Sequence, residues 1–157
     1  MSHTSIIPRA DLPALVDSLK TEGKCIVTTC GAFDLLHTGH LQSFLQAREH
    51  GDIFIVCLNS DSSIKAYKSP DRPIHNQEDR AEMLAALSCV DYVTIFDEVD
   101  PRAILKIIKP DTHVKSKTGF TGIEREVVEA HGGTIVLLDD VEGKSSTQII
   151  EKIQSLK

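Results

Sequence analysis

The chain has 157 residues, of which 41% are hydrophobic and 25% are charged. This length and hydrophobic content suit one substantial core, so we expect a single domain over residues 1–157. The formal net charge of −6 argues against a protein that binds nucleic acid or a membrane surface through a basic field. No apolar run approaches the roughly 20 residues that span a bilayer. The N-terminus lacks a signal-like hydrophobic core, so we expect a cytoplasmic protein.

The hydrophobic pattern begins with an amphipathic helix within residues 1–23 and continues through a catalytic core over residues 24–157. Five strands are predicted, at residues 25–30, 53–58, 92–96, 113–115 and 134–138. Helices are predicted after His40, through Leu84, after Asp100-Pro101, around residues 123–130 and around residues 149–153. This order predicts an α/β fold: a Rossmann-like, doubly wound parallel sheet of about five strands with helices on both faces.

The four cysteines are scattered along the chain, and no two of them form a C-x-x-C pair. The four are Cys25, Cys30, Cys57 and Cys89, and three of them lie in or beside apolar strand-like runs. This distribution predicts buried reduced thiols instead of a metal site or a disulfide framework.

The most informative segment runs from Cys30 to His40 and reads C-G-A-F-D-L-L-H-T-G-H. It places His37 and His40 around Gly39 at the point where a predicted strand leads into a predicted helix. The first turn of a helix has unpaired N–H groups and the positive end of the helix dipole, so such a junction is a natural anion site. Two imidazoles at this junction indicate phosphate chemistry on a small molecule.

Polar segments also follow the later strands, at residues 59–61, 115–117 and 142–147. Because the carboxyl ends of parallel strands meet at one edge of a sheet, these segments and the histidine segment point to one site. Two prolines in the longest irregular stretch predict a mobile loop that is able to close over a polyphosphate. The basic residues in or just after this stretch are Lys65, Lys68, Arg72 and Arg80.

The segment from Gly31 to His40 resembles the G-x-F-D-x-x-H-x-G-H signature of the cytidylyltransferase-like nucleotidyltransferases. The segment from Gly143 to Thr147 resembles the second, C-terminal nucleotide motif of the same superfamily. Further similarity covers nearly all of the chain. Within the superfamily, the chain most resembles the stand-alone adenylyltransferases of ADP-heptose synthesis. It is more distantly similar to glycerol-3-phosphate cytidylyltransferase and archaeal FAD synthetase.

The resemblance implies transfer of a nucleoside monophosphate from ATP or CTP, with ATP favoured, to a phosphorylated sugar or polyol, with release of pyrophosphate. Heptose 1-phosphate is the favoured acceptor. The implied catalytic residues are His37, His40 and Lys65. The implied nucleotide-binding residues are Ala32, Phe33, His37, Gly39, His40, Glu142, Gly143, Ser145, Ser146 and Thr147. The implied acceptor- or phosphate-binding residues are Lys65, Lys68, Arg80 and Lys115.

The resemblance also implies Mg²⁺ bound mainly through the nucleotide phosphates, because this ion keeps several waters and needs few protein ligands. No protein cage for a metal is predicted from the sequence. A homodimer is expected because the family commonly forms dimers.

Several alternatives stay open. Asp34 either orients its loop, caps the helix or touches substrate, and Ser145 with Gln148 has the spacing of a capping box. Residues 114–120 depart from the V-K-G-G-D-Y of the heptose enzymes, because Lys115 is retained but the glycine pair and the acidic residue are absent. CTP with glycerol 3-phosphate is therefore an alternative substrate pair, and a non-catalytic nucleotide-binding regulator is an alternative of another class.

Overall fold

The computed structural model describes residues 5–156 and contains one six-stranded sheet in which all paired strands are parallel. The doubly wound α/β architecture and the five predicted strands are confirmed. The sequence pattern does not predict the sixth strand, because its two residues are too few to show a periodicity. In their order across the sheet, the strands are β1 (Ser5–Ile6), β4 (Tyr92–Phe96), β3 (Ile53–Asn59), β2 (Ile26–Gly31), β5 (Thr112–Ser116) and β6 (Thr134–Leu138).

The described residues form seven α-helices and one 3₁₀ turn at Arg9–Asp11. The helices are α1 (Leu12–Thr21), α2 (Thr38–Arg48), α3 (Asp61–Tyr67), α4 (Gln77–Ala85), α5 (Arg102–Ile108), α6 (Ile123–Glu129) and α7 (Ser146–Ser155). Residues 1–4 of the predicted leading segment lie outside the described residues.

Helix α3 is not predicted from the sequence, which expects an irregular stretch there. It forms because Ser60 caps it, with the Ser60 hydroxyl accepting a hydrogen bond from the Ser63 N–H at 3.2 Å. The irregular loop is therefore confined to residues 68–76. Lys65 lies on a helix and not on that loop.

The core is divided between the two faces of the sheet, because successive strand residues point to opposite sides. Ile26 and Ile55 face a layer that contains α1, α5 and α6. Val27 and Val56 face a second layer that contains α2 and α4. Helices therefore cover both faces, as the sequence pattern predicts.

The order of the strands reverses direction beside β2. From β2 the chain continues to β3 and β4 on one side of the sheet, and it then crosses to β5 and β6 on the other side. Ligands of open α/β sheets bind at the carboxyl ends of the strands where such a reversal opens a crevice. This topology predicts that a ligand site lies at the segments that follow β2 and β5.

All four cysteines are unpaired, and three of them are buried as predicted. Cys25 is exposed, which corrects the expectation for that residue, because it precedes β2 at the amino edge of the sheet. Cys30 and Cys57 are register partners on neighbouring strands. The hydrogen bond between the Cys57 and Cys30 thiols and burial raise the pKa of the Cys57 thiol, which keeps it protonated and unreactive.

No helix formed by residues 5–156 has the length and hydropathy that a membrane span requires.

We expect His113 to make the protein less stable in acid. Its fully buried imidazole lies 2.8 Å from the Thr28 hydroxyl through Nδ1, and burial lowers its pKa to about 3. An unfolded imidazole titrates near 6.5, so the unfolded state binds a proton that the folded state excludes. The free energy of unfolding should fall as the pH falls from 6.5 toward 3, by up to about 1.4 kcal/mol per pH unit.

Urea unfolding of the wild type and of His113→Asn at pH 7, 6 and 5 measures this dependence. The variant should lose part of the acid slope, whereas His131→Asn, at an exposed position, should keep it. Identical slopes in wild type and His113→Asn would contradict the expectation.

Candidate active site

His37 stands immediately before α2 and caps it. Its Nδ1 accepts a hydrogen bond from the Gly39 N–H at 3.1 Å. An imidazole nitrogen that accepts a hydrogen bond carries no proton, so the proton of neutral His37 is on Nε2. His37 is therefore oriented as a hydrogen-bond donor through Nε2.

His40 lies one turn further along α2 and stacks on His37. The ring centroids are 3.8 Å apart and the planes make an angle of 24°. Burial, the charge of His37 and the charge of Lys68 lower the pKa of His40 to about 4. Its Nδ1 is buried without a hydrogen-bond partner, which leaves Nε2 as the nitrogen available to a ligand. Both rings are neutral donors near pH 7, since burial and Lys144 also lower the pKa of His37.

Gly39 and Phe33 allow this close arrangement. A Cβ atom on Gly39 would lie 2.9 Å from the His37 ring and 2.9 Å from the Lys144 Cβ, which leaves no room for a side chain. Phe33 adopts a left-handed backbone conformation with φ 44°. Its ring packs edge-on against His40, with the centroids 5.4 Å apart. The segment after β2 is thus shaped to hold the two imidazoles in parallel.

Asp34 orients the loop of residues 68–76, which decides between the alternatives left open for it. Its buried carboxylate accepts hydrogen bonds from the N–H groups of Ile74 and His75 and from Arg72, whose Nε lies at 2.8 Å. Burial alone would raise the pKa of Asp34, but these donors together lower it. The histidine segment and the basic loop are therefore held together by one carboxylate.

Arg80 has a different place from the expected one. The sequence predicts a phosphate contact, but the residue is fully buried. Its guanidinium donates to the carbonyls of Ala32, Asn59 and His75 and to the carboxylate of Asp61. In this arrangement Arg80 positions the strand ends around the site and does not face a ligand.

Two adjoining clefts open at the carboxyl edge of the sheet. The first, of about 290 Å³, lies between the starts of α2 and α7 and is called the α7 cleft. The second, of about 510 Å³, extends from the residues after α3 to the start of α6 and is called the α6 cleft. The residues that line both clefts are Cys30, Phe33, His40, Lys115, Ser116 and Ser146. His40 and Lys115 therefore stand where the two spaces meet.

The predicted basic residues are distributed unequally. Lys68 and Lys115 line the α6 cleft, whereas Lys65 is exposed on α3 and lines neither cleft. The Lys115 ammonium donates to the Cys30 carbonyl at 3.2 Å and lies 3.3 Å from a Glu124 carboxylate oxygen. The fold thus does not bring Lys65, which the sequence predicts to be catalytic, to either cleft. Lys68 is the lysine of this segment that lines the α6 cleft.

The C-terminal motif contributes through the start of α7. The Ser145 hydroxyl caps the helix by accepting a hydrogen bond from the Gln148 N–H at 3.1 Å, and the Ser146 hydroxyl donates to the Leu35 carbonyl at 3.1 Å. Both serines still line the α7 cleft. Three other predicted nucleotide-binding residues lie outside both clefts, namely Glu142, Gly143 and Thr147. Gly143 borders a third pocket, which is also lined by His37.

Sequence reasoning does not find several residues that line the α6 cleft. They are polar side chains from the end of α3, from loops and from the start of α6, with no motif of their own, and comprise Tyr67, Asp100, Thr121 and Glu124. Residues 5–156 contain no group of three or more His, Cys, Asp or Glu side chains placed to hold a metal ion.

A parallel α/β sheet with a histidine pair at the start of a helix beside its switch point is the arrangement of a Rossmann-like nucleotidyltransferase. The chain belongs to the cytidylyltransferase-like family, which matches residues 28–152. The resemblance stated from the two motifs is thereby confirmed.

Relatives and solved structures agree with this family. The bifunctional protein HldE of Syntrophotalea carbinolica is 43% identical over 147 residues, which are 92% of this chain and 30% of the relative. HldE of Geotalea uraniireducens is 45% identical over 146 residues, again 92% of this chain and 30% of the relative. The chain thus spans about a third of the length of these curated relatives.

A lipopolysaccharide core biosynthesis protein from Thermoplasma volcanium has a TM-score of 0.64 and 26% identity, covering 76% of this chain and 100% of that one. A pantoate-beta-alanine ligase from Francisella tularensis has a TM-score of 0.67 and 14% identity, covering 96% of this chain and 77% of that one. The second likeness shows the fold alone.

Replacing Asp34 should loosen the loop that carries Lys68. Asp34→Asn leaves Arg72 without its ion pair and weakens the bonds to the loop, so we expect the free energy of unfolding to fall by about 2 kcal/mol. Limited proteolysis within residues 68–76 should become faster. Denaturant unfolding measures the first effect, with Asp71→Asn in the same loop as the control, since Asp71 is exposed. Equal stability and equal proteolysis in the two variants would contradict the role given to Asp34.

Proposed function

We propose that this protein is a nucleotidyltransferase that transfers the nucleoside monophosphate of an NTP, with ATP favoured over CTP, to a phosphorylated sugar. Heptose 1-phosphate is the favoured acceptor, and pyrophosphate is the second product. Membership in the cytidylyltransferase-like family and the similarity to HldE proteins support this proposal.

The observation that carries the proposal is the stacked pair of neutral imidazoles between two adjoining clefts. His40 lines both clefts, and His37 lines the α7 cleft at its junction with α2. In a transfer between two substrates, the acceptor must reach the phosphorus atom of the nucleotide, so the two binding spaces must adjoin. His40 is among the residues that line both clefts, and His37 stacks on it from the α7 cleft.

The nucleotide is assigned to the α7 cleft. Helices α2 and α7 have 11 and 10 residues, and their first turns offer N–H groups and the positive ends of their dipoles to phosphate. Phe33, Ser145 and Ser146 line this cleft. Ala32 lines only the α6 cleft, so the nucleotide contact expected of Ala32 is not part of this assignment. The acceptor then occupies the α6 cleft, where Lys68 and Lys115 supply positive charge.

The reaction is an in-line displacement at the α-phosphorus. An oxygen of the acceptor phosphate forms the new P–O bond, and the bond from the α-phosphorus to the bridging oxygen of the β-phosphate breaks. The attacking phosphate is largely ionised near pH 7, so no general base is required. The Nε2–H groups of His37 and His40 donate to oxygens on which negative charge develops. Positioning and charge stabilisation thus account for the catalysis.

Mg²⁺ is proposed to accompany the nucleotide and to neutralise charge on its phosphates. The acidic side chains that line the α6 cleft already have cationic partners: Asp34 with Arg72, Asp100 with Arg102, and Glu124 with Lys115. Among the described residues, the α7 cleft is lined by a single carboxylate, that of Asp140, which supports binding of the ion mainly through phosphate oxygens.

Pyrophosphate release should require a nucleotide and a phosphorylated acceptor together. ATP and CTP, each combined with heptose 1-phosphate and with glycerol 3-phosphate, form the panel, and ATP with heptose 1-phosphate should be fastest. His37→Ala and His40→Ala should each reduce the rate by about 10² to 10³, the usual effect of removing one transition-state donor. His50→Ala, exposed just beyond the end of the same helix, should leave the rate unchanged.

Other results have defined meanings. Release only from CTP with glycerol 3-phosphate would retain the transferase class and change the substrates. Nucleotide binding without release from any pair would identify a non-catalytic nucleotide-binding regulator.

We also infer a cytoplasmic homodimer that acts on small molecules and binds neither nucleic acid nor membranes. The net charge of −6 supports the small-molecule preference. Exposed apolar side chains on α7, including Ile153 at 59% and the adjoining Leu156 at 71% exposure, fit an interface between two chains. Sedimentation equilibrium should give twice the chain mass, and a monomer at all concentrations would contradict the inference.

A further inference from the structure

Glu124 places a carboxylate in the wall of the α6 cleft that the proposed chemistry does not use. It lies in the first turn of α6, and its side chain is only 3% exposed. Its Oε1 lies 3.3 Å from the Lys115 ammonium. Its Oε2 is buried and has no hydrogen-bond partner among the described residues. A buried carboxylate oxygen without a donor is unfavourable, so a further donor at this position would be stabilising.

Lys115 does not supply that donor, because its ammonium contacts Oε1 and the Cys30 carbonyl and makes no hydrogen bond to Oε2. The same nitrogen donates to the Cys30 carbonyl at 3.2 Å. On the adjoining wall, the Ser116 hydroxyl accepts a hydrogen bond from the Gly119 N–H at 3.0 Å. The missing donor at Glu124 is therefore left for a ligand of the α6 cleft.

Glu124 lines the α6 cleft, and its carboxylate becomes more accessible to a ligand there if the ion pair of Oε1 with Lys115 opens. Lys115 is the flexible neighbour in contact with the Glu124 carboxylate, and its side chain is 19% exposed. Rotation of its methylene chain would uncover the carboxylate while the ammonium stays nearby. A ligand hydroxyl could then donate to Glu124 and accept from Lys115, and this dual role is available to a hydroxyl and not to a phosphate.

The position of Glu124 also indicates how an acceptor lies in the cleft. Lys68 follows α3 on the β3 side of the central strand β2, whereas Glu124 follows β5 on the other side. A carboxylate repels a phosphate group and attracts hydroxyl donors. The phosphate of the acceptor should therefore lie toward Lys68 and His40, with its carbon chain extended toward Glu124.

We propose that Glu124 is a specificity-determining residue that accepts a hydrogen bond from a hydroxyl group of the phosphorylated acceptor, with Lys115 beside it. This inference rests on the proposed function for the identity of the acceptor. It assigns hydroxyl recognition to a residue that lies outside both sequence motifs.

Equilibrium binding of heptose 1-phosphate, measured by calorimetry, tests the proposal without requiring turnover. Glu124→Met removes the acceptor oxygens at similar size and should raise the Kd by about tenfold to a hundredfold. Glu124→Gln should have a smaller effect, because its amide oxygen still accepts a hydrogen bond. Glu126→Gln, exposed on the same helix, should leave the Kd unchanged, and nucleotide affinity should be unchanged in all three variants.

A set of mono-deoxy analogues of the sugar phosphate separates hydroxyl recognition from a merely structural role. The analogue that lacks the recognised hydroxyl should bind the wild type weakly, with a Kd close to that of the complete sugar phosphate for Glu124→Met. The same analogue should bind Glu124→Met with little further loss of affinity. Equal losses for every analogue on the variant would overturn the proposal. Unchanged binding by folded Glu124→Met would overturn it as well.

A different result would contradict the proposed function, namely that the wild type releases no pyrophosphate. If neither heptose 1-phosphate nor glycerol 3-phosphate binds the wild type with millimolar or better affinity, the role given to Glu124 is overturned too.

Discussion

The site depends on one buried guanidinium, that of Arg80. It donates to the carbonyls of Ala32 and Asn59, which follow β2 and end β3, and to the carbonyl of His75 and the carboxylate of Asp61. A fully buried charge is unfavourable unless its donors are satisfied. These segments must therefore stay close together, and the shape of the strand edge follows from that requirement.

Around this fixed edge, neutral imidazoles and lysine ammonium groups line the same two clefts. His37 and His40 stack with their pKa values lowered by burial, so they stand at the clefts as neutral imidazoles near pH 7. Lys68 and Lys115 supply charge from the wall of the α6 cleft. Mutual repulsion between two charged rings at 3.8 Å is thereby avoided, and under the proposed function the two substrates would meet at the pair.

The sequence predicts the parts that depend on local pattern. Five strands, the parallel doubly wound fold and the capping-box spacing of Ser145 and Gln148 follow from residues close together in the chain. Prediction from the sequence fails where the position of a side chain depends on tertiary packing. Arg80 resembles an ordinary basic ligand until burial is known, and Lys65 and Lys68 differ by less than one helical turn.

The sequence alone determined the α/β class, the position of the histidine pair between a strand and a helix, and the family. Only the tertiary structure decided which distant side chains meet, such as Asp34 with Arg72 and Lys115 with Glu124. The physical reason is that periodicity and helix caps are local, whereas these contacts arise when helices and loops pack over the edge of the sheet. No spacing in the sequence encodes the distance between residues on different strands and helices.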